Sequence, residues 1–493
     1  MSTVNKIIKN SIALYIAWGL GAFSTLVLNI SIARKLHAVA FGKYSTAFVF
    51  ANFFIILVNL GMNEILIREV ARDKSLAPKY LSNIISVRLL LCVFVIPIIL
   101  ISVRYMNYSD DTTYAILIFG IAILISSLND LFLVTFRAFE NMEWEALITV
   151  FIKLLTVIIS LVFLYFNFGI VELASAFLVA ITVGFILSNI VCTKKFSNPR
   201  LEIDLFFCWK VLKDSLPFIF SNLFIMFYMK IDILMLSKMS GEANVGWYNA
   251  AASLSNTFGP MVFIFMSVLY PVASRFFVSR QDQLIILYEK SFKYLILIGL
   301  PLSAGTTVLA HRIIPLLYGD NFLKAATVLQ ILCWKFFLIA MSRPVLYMLA
   351  SINKQKFMAI SGGIGAILII ILNLYAIPTF QEIGAAVSVV FAEIVVTCVS
   401  WYIVGRYFYF LPFHRILFKP VLATVIMAYV VYQIKNYMDT NLFLLVFLGA
   451  AVYTIALFLF NAFDEDDLKI FSKIFRFSFL KSKDKQVKFN LFE

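Results

Sequence analysis

Long apolar runs follow one another along the whole of this chain. Each run is about 20 residues long or slightly longer, which is the length an α-helix needs to cross a hydrocarbon core about 30 Å thick. Of the 493 residues 62% are hydrophobic and only 14% charged, whereas a soluble domain carries roughly 25% charged residues. A window of about 19 residues separates fourteen runs, at 11–31, 44–66, 81–103, 113–134, 147–166, 171–191, 215–237, 247–273, 291–310, 324–350, 357–377, 383–404, 416–434 and 441–461. The sequence therefore predicts an all-α integral membrane protein with 14 transmembrane helices.

The net charge of +14 is spread unevenly over the predicted loops. If the chain starts in the cytoplasm, most of the 41 Lys and Arg residues fall in loops on the cytoplasmic side, as the positive-inside rule requires. This asymmetry predicts a multi-pass protein of the cytoplasmic membrane with both termini in the cytoplasm. It also explains the basic composition without a nucleic-acid partner.

An internal repeat relates the two halves of the chain. Residues 32–52 align without a gap on residues 236–256, at an offset of 204 positions. The matched pairs are Arg34 with Lys238, Gly42 with Gly246, Tyr44 with Tyr248, and Asn52 with Asn256. Six segments separate the two copies, and an even number of crossings returns the chain to the same side of the membrane. The repeat therefore predicts two parallel six-helix lobes, related by an axis along the membrane normal.

We divide the chain at the ends of the two predicted six-helix lobes. The predicted parts are an N-terminal six-helix lobe (1–195), a cytoplasmic connector (196–214), a C-terminal six-helix lobe (215–405), transmembrane helices 13 and 14 (406–461) and a basic cytoplasmic tail (462–493). Residues 201–217 mix apolar and charged residues at near-helical spacing, which fits either an interfacial helix or a plain connector.

Amide side chains recur within two of the apolar segments. Asn249, Ser253 and Asn256 share one face of segment 8, and Asn52 lies on a similar face of segment 2 with Asn59 and Asn63. Two interpretations stay open. The amides either bond neighbouring helices, at about 0.6–2 kcal/mol each, or line a polar cavity between the two segments.

Ionisable residues inside the bilayer are a sharper signal, because a charge near its centre costs about 2.5–3.5 kcal/mol even on insertion scales. Seven are predicted there: Arg88, Lys153, Lys230, Asp232, Lys335, Arg343 and Glu393. Arg88, Lys153 and Arg343 lie near enough to the cytoplasmic side to snorkel. A salt bridge between Lys335 and Glu393 is another open interpretation. Lys230 and Asp232 differ by about 200° around their helix, so they cannot pair with one another.

Five of these seven residues are cationic, so a cavity that they shared would be net positive and would suit an anionic ligand, above all phosphate. The candidate substrate-binding residues are Arg88, Lys153, Lys230, Asp232, Lys335, Asn52, Asn249 and Asn256. Arg343 and Glu393 are candidates for structural or gating roles.

Motifs for hydrolysis or metal binding are missing from the sequence. No GxxxxGK[ST] loop is present, the three histidines lack zinc-binding spacing, and the five cysteines lack a CxxC pair. The apolar N-terminal stretch is span-length without a small-residue cleavage site, so we expect no cleavable signal peptide. We expect no cofactor, no metal and no enzymatic activity.

Several stretches in order resemble the polysaccharide-export branch of the multidrug/oligosaccharidyl-lipid/polysaccharide flippase superfamily. They are "IARKLHAVAFGKYSTAFVF", "NLGMNEILIREVAR", "KIDILMLSKMSGEANVGWYNAA", "YPVASR" and "LLYGDNFLKAATVLQIL", and the likeness spans roughly residues 1–410. The resemblance implies two lobes facing each other across a central cavity that works by alternating access. Segment 1 has no mid-helix charge, unlike the related lipid II flippases, so any diphosphate clamp must use other positions.

The implied substrate is a polyprenyl-diphosphate-linked oligosaccharide, moved from the cytoplasmic to the outer leaflet for O-antigen, capsule or exopolysaccharide biosynthesis. Implied partners are membrane lipids and the glycan polymerase and glycosyltransferases of the same pathway. A cation-coupled multidrug-type antiporter is the nearest alternative, although segments 1–6 offer only Glu64 and Asp130 as acids, both near the cytoplasmic ends. A membrane glycan polymerase or ligase is a second alternative, disfavoured by the short outer loops.

Overall fold

The computed structural model describes residues 3–354, 356–437, 440–464 and 467, with side chains from residue 13 onward. Every element in these ranges is helical, which confirms the all-α prediction. The α-helices are α1 (Thr3–Phe53), α2 (Ile55–Asn59), α3 (Met62–Arg72), α4 (Ala77–Met106), α5 (Asp110–Ala138), α6 (Met142–Tyr165), α7 (Ile170–Lys195), α8 (Leu205–Met239), α9 (Glu242–Thr257), α10 (Gly259–Ser279), α11 (Gln281–Tyr318), α12 (Lys324–Ser351), α13 (Lys356–Tyr407), α14 (Phe413–Tyr437) and α15 (Leu442–Leu459). Most of the predicted tail, 462–493, lies outside the described residues.

Twelve helical stretches of the described chain are long and apolar enough to cross a membrane, as expected of a multi-pass membrane protein. The number differs from the predicted fourteen because two of the twelve, Ala13–Asn59 and Lys356–Tyr407, are 47 and 52 residues long. Each is about twice the length of a membrane span. Each also contains one residue with a non-helical backbone, His37 in α1 and Gln381 in α13.

Contacts on either side of His37 show that α1 turns back there. Asn29 donates a hydrogen bond to Ser253, and Ser45 accepts one from Asn249. The two partners lie about one turn apart on α9, whereas a straight helix would separate Asn29 from Ser45 by about 24 Å. The two parts of α1 must therefore lie side by side.

The chain turns back in the same way at Gln381. A Cβ added at Gly384 would overlap the carbonyl oxygen of Ala376, eight residues earlier in α13, so the parts before and after Gln381 are packed against each other. Dividing α1 and α13 at these two turns would give the segments predicted from the sequence, and the count of fourteen stays a prediction.

The backbone repeats at the offset found in the sequence. His37 has φ 63° and ψ −179°, and Gly241, 204 positions later, has φ 93° and ψ 169°. The helices that follow these two residues also end at equivalent positions, Phe53 and Thr257. Because positive φ is uncommon for a residue other than glycine, its occurrence at His37 marks a geometry that the repeat imposes.

The two copies of the repeat touch through small residues. A Cβ added at Gly42 would overlap the carbonyl oxygen of Glu242, and one added at Gly246 would overlap that of Ala38. The contact is reciprocal, since Ala38 and Glu242 are also 204 positions apart. Helix backbones approach this closely only where side chains are absent. We call the end of the molecule that holds His37 and this contact the His37 end, and the opposite end the Tyr15 end.

Buried clusters follow the same division. One joins both lobes toward the His37 end, one lies mainly within α3–α7 and also takes in Val211 of α8, and two lie in the second half of the chain around α11. The last two helices are fixed to α11 by polar bonds: Arg312 donates to the carbonyls of Lys435 (2.8 Å) and Thr440 (2.7 Å), and the Tyr453 hydroxyl to that of Leu297 (3.0 Å).

The chain just after α15 is also held against α11. Asp467 accepts hydrogen bonds from Lys293 and from the hydroxyl of Tyr294, both at 2.6 Å. Burial raises the pKa of Asp467, but these bonds outweigh it and lower the pKa to about 2. The carboxylate is therefore charged at neutral pH and fixes the end of α15 to the second lobe.

The predicted connector, 196–214, contains both a non-helical stretch and the start of a helix. Residues 196–204 are non-helical, and α8 begins at Leu205. This helix continues without a break into segment 7, past residue 214, where the predicted connector ends. The Asp204 N–H donates to Asn83 (2.7 Å), which anchors the start of α8 to the first lobe. Leu205, Phe206 and Trp209 are exposed, which favours the interfacial interpretation of this stretch.

We predict that the connector and the Asn321 turn lie on opposite sides of the membrane. Asn198 and Asn321 are both exposed, the first at the Tyr15 end and the second at the His37 end. Single cysteines placed at these positions, in a background lacking the native cysteines, should react with a membrane-impermeant maleimide from opposite sides. The positive-inside rule assigns Asn198 to the cytoplasm. Labelling of both from one side would contradict the predicted topology.

Candidate functional site

A cavity of about 470 Å³ lies between the two halves of the molecule. Its walls come from both parts of α1, from α6 and α7 of the first half, and from α8 and α9 of the second. This volume is within the usual range of small-molecule sites, about 300–1,000 Å³. The cavity begins on the Tyr15 side of the contact between Gly42 and Gly246. Ser45 and Asn249, about one turn further along the same helices, already line it.

Lys153 of α6 and Lys230 of α8 face this cavity. Neither has an ion-pair or hydrogen-bond partner in the part of the chain that the structure describes. No Asp or Glu is among the described residues that line the cavity. Its electrostatic character is therefore positive, contributed by one lysine from each half.

A small pocket of about 20 Å³ extends from the cavity toward α12. Lys230, Asn249 and Asn256 line both spaces, and Lys335 and Asp232 line the small one. A third cation therefore lies beside the cavity wall.

Asp232 is buried and is satisfied by groups other than lysine. Its carboxylate accepts a hydrogen bond from the hydroxyl of Tyr248 and one from the backbone N–H of Ile233 (3.0 Å). No ion pair joins it to Lys230 or Lys335 among the described residues, so both lysines keep their hydrogen-bonding capacity for a ligand.

The asparagines divide between the two interpretations left open by the sequence. Asn256 lines both spaces, and its side-chain amide has no hydrogen-bond partner among the described residues. Asn249 also lines them, while donating to Ser45 across the lobes (2.7 Å). Asn52 instead donates to the Phe48 carbonyl of its own helix (2.8 Å) and is not among the lining residues.

The other two amides of segment 2 bond neighbouring helices. Asn59 accepts a hydrogen bond from Ser127 (2.8 Å) and Asn63 one from Arg88 (2.7 Å). The helix-packing interpretation holds for these two.

Arg88 lies outside the cavity, with no exposed surface. Its guanidinium donates to the Ser127 carbonyl as well as to Asn63, within the first half of the chain. It neither snorkels to an aqueous surface nor joins the lysines, because its helix turns that face toward α3 and α5.

Glu393 and Lys335 do not form the salt bridge considered from the sequence. Buried Glu393 accepts hydrogen bonds from the hydroxyls of Tyr228 and Ser342, the latter at 3.2 Å. It thereby links α8, α12 and α13, which fits its structural candidacy. Arg343, half-buried beside Ser342, lines neither space. Tyr228 donates to Glu393 and Tyr248 to Asp232. The sequence does not predict this role, because a tyrosine within an apolar segment carries no signal of the acid that it bonds.

A family model described as "Polysaccharide biosynthesis protein" matches residues 7–277, more than half of the chain. The chain belongs to this family. A second model, MatE, matches residues 217–375. The family membership confirms the resemblance noted in the sequence.

Two relatives of this family member carry names related to glycans. A "Putative O-antigen transporter" of Escherichia coli is 29% identical over 272 residues, 53% of this chain and 63% of that protein. A "Probable low-salt glycan biosynthesis flippase" of Haloferax volcanii is 24% identical over 251 residues, 49% of this chain and 52% of that protein. The chain thus spans less than two thirds of each relative.

Solved structures establish the fold of this family member. A lipid II flippase in an inward closed conformation superposes with a TM-score of 0.77 and 17% identity, covering 92% of this chain and 98% of that one. An inward-facing multidrug transporter of the MATE family gives a TM-score of 0.65 at 17% identity, covering 78% and 94%. The chain therefore shares its fold with a lipid II flippase and with a multidrug transporter of the MATE family.

We predict that Arg88 acts in stability. Arg88→Ala would remove the hydrogen bonds to the Ser127 carbonyl and to Asn63, leave the Asn63 Oδ1 without its donor, and lower the free energy of unfolding by about 1.5–3 kcal/mol. Thermal unfolding of the purified protein in detergent, followed by tryptophan fluorescence, measures the effect. Lys153→Ala is the control, because Lys153 has no described partner to lose. Equal melting temperatures for the two variants would contradict a structural role for Arg88.

Proposed function

We propose that this protein is a flippase that carries a polyprenyl-diphosphate-linked oligosaccharide from the cytoplasmic to the outer leaflet by alternating access. The observation that supports this most directly is the cavity between the lobes, lined by lysines without carboxylate partners and by amides with unused capacity. Unpaired charges are costly inside a membrane protein and mark substrate pathways. The names of the two relatives agree with the proposal.

The diphosphate is the part of such a substrate that needs cations. Lys230 lines both the cavity and the adjoining pocket, with Lys335 in the latter and Lys153 across the cavity. Ammonium groups bind phosphate oxygens through charge-assisted hydrogen bonds from any direction, so the lysines tolerate a head group that moves with the lobes. The polyprenyl tail stays in the lipid.

The sugar residues would meet hydroxyls, amides and an indole ring. Asn256, Ser253 and Asn249 lie along one face of α9, and Trp18 of α1 lines the same cavity. These groups accept and donate hydrogen bonds without adding charge. No group in this set requires a cofactor, and the chain acts as a transporter rather than an enzyme.

A cation-coupled antiporter remains the second candidate, because Asp232 is a buried acid beside the cavity and the MatE model matches the same half of the chain. Against it, the described lining of the main cavity contains no acid. A positive cavity repels organic cations. Drug resistance conferred by overexpression would favour the antiporter.

The cellular setting follows from the same proposal. The protein would lie in the cytoplasmic membrane with both termini and the basic loops in the cytoplasm, which places the Tyr15 end there. The division into lobes at 1–195 and 215–405, with helices 13 and 14 added, is part of this proposal. Glycosyltransferases would supply the lipid-linked glycan and a glycan polymerase would consume it.

We predict that the cavity lysines set the affinity for diphosphate. Lys230→Ala and Lys335→Ala should each weaken binding of farnesyl diphosphate, a short polyprenyl-diphosphate probe, by about ten- to hundredfold, since each removes a charge-assisted contact. Lys335→Arg should retain most of the affinity. Calorimetry on the purified protein measures both, and Lys35→Ala, an exposed cation at the His37 end, is the control.

The double variant Lys335→Ala with Glu393→Gln separates ligand binding from charge pairing. Glu393 is satisfied by two hydroxyls, so neutralising it should not restore affinity lost with Lys335. Full restoration would remove Lys335 from the proposed site, and unchanged affinity in both single lysine variants would overturn the diphosphate site.

We predict that substitution of two asparagines at equivalent positions of the repeat will affect glycan export differently. Asn256→Leu should reduce glycan export in the native host while its abundance in the membrane stays unchanged, because Asn256 lines the cavity. Asn52→Leu should have little effect, since the hydrogen bond described for the Asn52 side chain is to its own helix and Asn52 is not among the described residues that line the cavity. Export is measured as surface glycan per cell, normalised to protein in the membrane. A parallel loss of abundance in Asn256→Leu would indicate a packing role instead.

A further inference from the structure

Arg34 of α1 reaches across the lobes at the His37 end. Its Nε donates to the carbonyl oxygen of Leu317 (2.6 Å) and its Nη2 to that of Leu316. Both carbonyls belong to the last turn of α11, in the second lobe, where no further turn of helix supplies a donor. A cation at this position also complements the negative end of the helix dipole.

Lys238 makes the corresponding contact in the opposite direction. It lies in the last turn of α8, in the second lobe, and donates to the carbonyl oxygen of Met106. Met106 is the last residue of α4, in the first lobe. The ammonium also lies 3.5 Å from the ring centroid of Tyr108, a cation–π contact that helps to fix it there.

The two contacts are equivalent under the internal repeat. Arg34 and Lys238 are 204 positions apart, and the helices they cap, α11 and α4, are the third membrane segments of their lobes. Each lobe therefore caps the carboxyl end of the other's third segment. Such a reciprocal arrangement is what a two-fold interface produces, and the contact of Gly42 with Gly246 lies between the two caps.

We propose that Arg34 and Lys238 form a symmetric latch that holds the lobes together at the His37 end, and that both contacts break when the cavity opens toward that end. The proposal rests on the alternating-access function proposed above. Both side chains are exposed, so water can replace the carbonyl partners when the contacts break. Because the acceptors are backbone carbonyls, the latch closes on helix ends and needs no particular side chain opposite.

Removing either cation should shift the population of lobe arrangements. Spin labels on cysteines at Asp110 and Leu323, exposed positions of opposite lobes at the His37 end, report their separation by electron–electron double resonance. Exposed Cys398 is replaced by Ser, and the four buried cysteines stay in place. In nanodiscs, Arg34→Ala and Lys238→Ala should each raise the population of a longer-distance component about five- to tenfold, and the double variant should raise it further.

Matched variants separate the latch from a general effect of charge. Lys35→Ala removes the neighbouring cation, which has no described partner. Lys324→Ala removes a cation whose contact, 4.4 Å from the Trp247 ring, stays within the second lobe. Both should keep the wild-type distance distribution. Gly42→Ala, which forces the same surfaces apart, should reproduce the long component.

A second label pair, at Ala71 and Val278, reports the Tyr15 end. Its distances should stay narrow or shorten when the latch is removed. Unchanged distances at Asp110 and Leu323 in the Arg34 and Lys238 variants would overturn the latch. Equal broadening at both ends would also overturn it, since this would show general loosening. Neither outcome depends on diphosphate binding by the lysines, so failure of the latch and failure of the proposed function remain distinguishable.

Discussion

Contact between two helix backbones at Gly42 and Gly246 determines how the lobes are arranged. The second part of α1 and α9 touch there without side chains between them. Since the helices carry larger residues beyond this point, they must separate as they run toward the Tyr15 end. Asn249 still reaches Ser45 across the gap. Asn256, about 15 Å further along α9 than Gly246, faces open space, and the cavity is the volume left by this separation.

The charged residues of the membrane region fall into two groups. Arg88, Asp232 and Glu393 are buried and bonded to hydroxyls, amides or carbonyls, so their charges are compensated locally and contribute to packing. Lys153 and Lys230 face the cavity without a described partner, as does Lys335 in its extension. In the proposed transport cycle the second group would change partners more easily than the first, because breaking the bonds of the first would leave unpaired polar groups inside the protein.

The sequence predicts the repeat, most of the segments and the chemical type of the cavity, because these depend on hydrophobicity, spacing and charge. It does not predict which helix a polar face meets. Asn52 and Asn256 occupy equivalent positions of the repeat, yet of the two Asn256 alone lines the cavity. The helices that carry them, α1 and α9, meet different neighbouring helices in the two lobes. Nor could the latch of Arg34 be predicted, since its acceptors are backbone carbonyls, which every residue possesses.

Under the proposed function, the placement of Lys153 and Lys230 would link ligand binding to movement of the lobes. Lys153 belongs to the first lobe and Lys230 to the second, so in the absence of a ligand their repulsion opposes closing of the cavity. A diphosphate between them reverses the sign of this interaction and favours arrangements in which both ammonium groups reach it. A ligand can shift a conformational equilibrium only by its differential affinity for the two states, and an anion held between cations of opposite lobes has such a difference. The caps of Arg34 and Lys238 oppose the shift toward opening at the His37 end. Under the proposed function, the balance between these two sets of cations, one facing the cavity and the other capping helix ends, would therefore determine which end of the cavity is open.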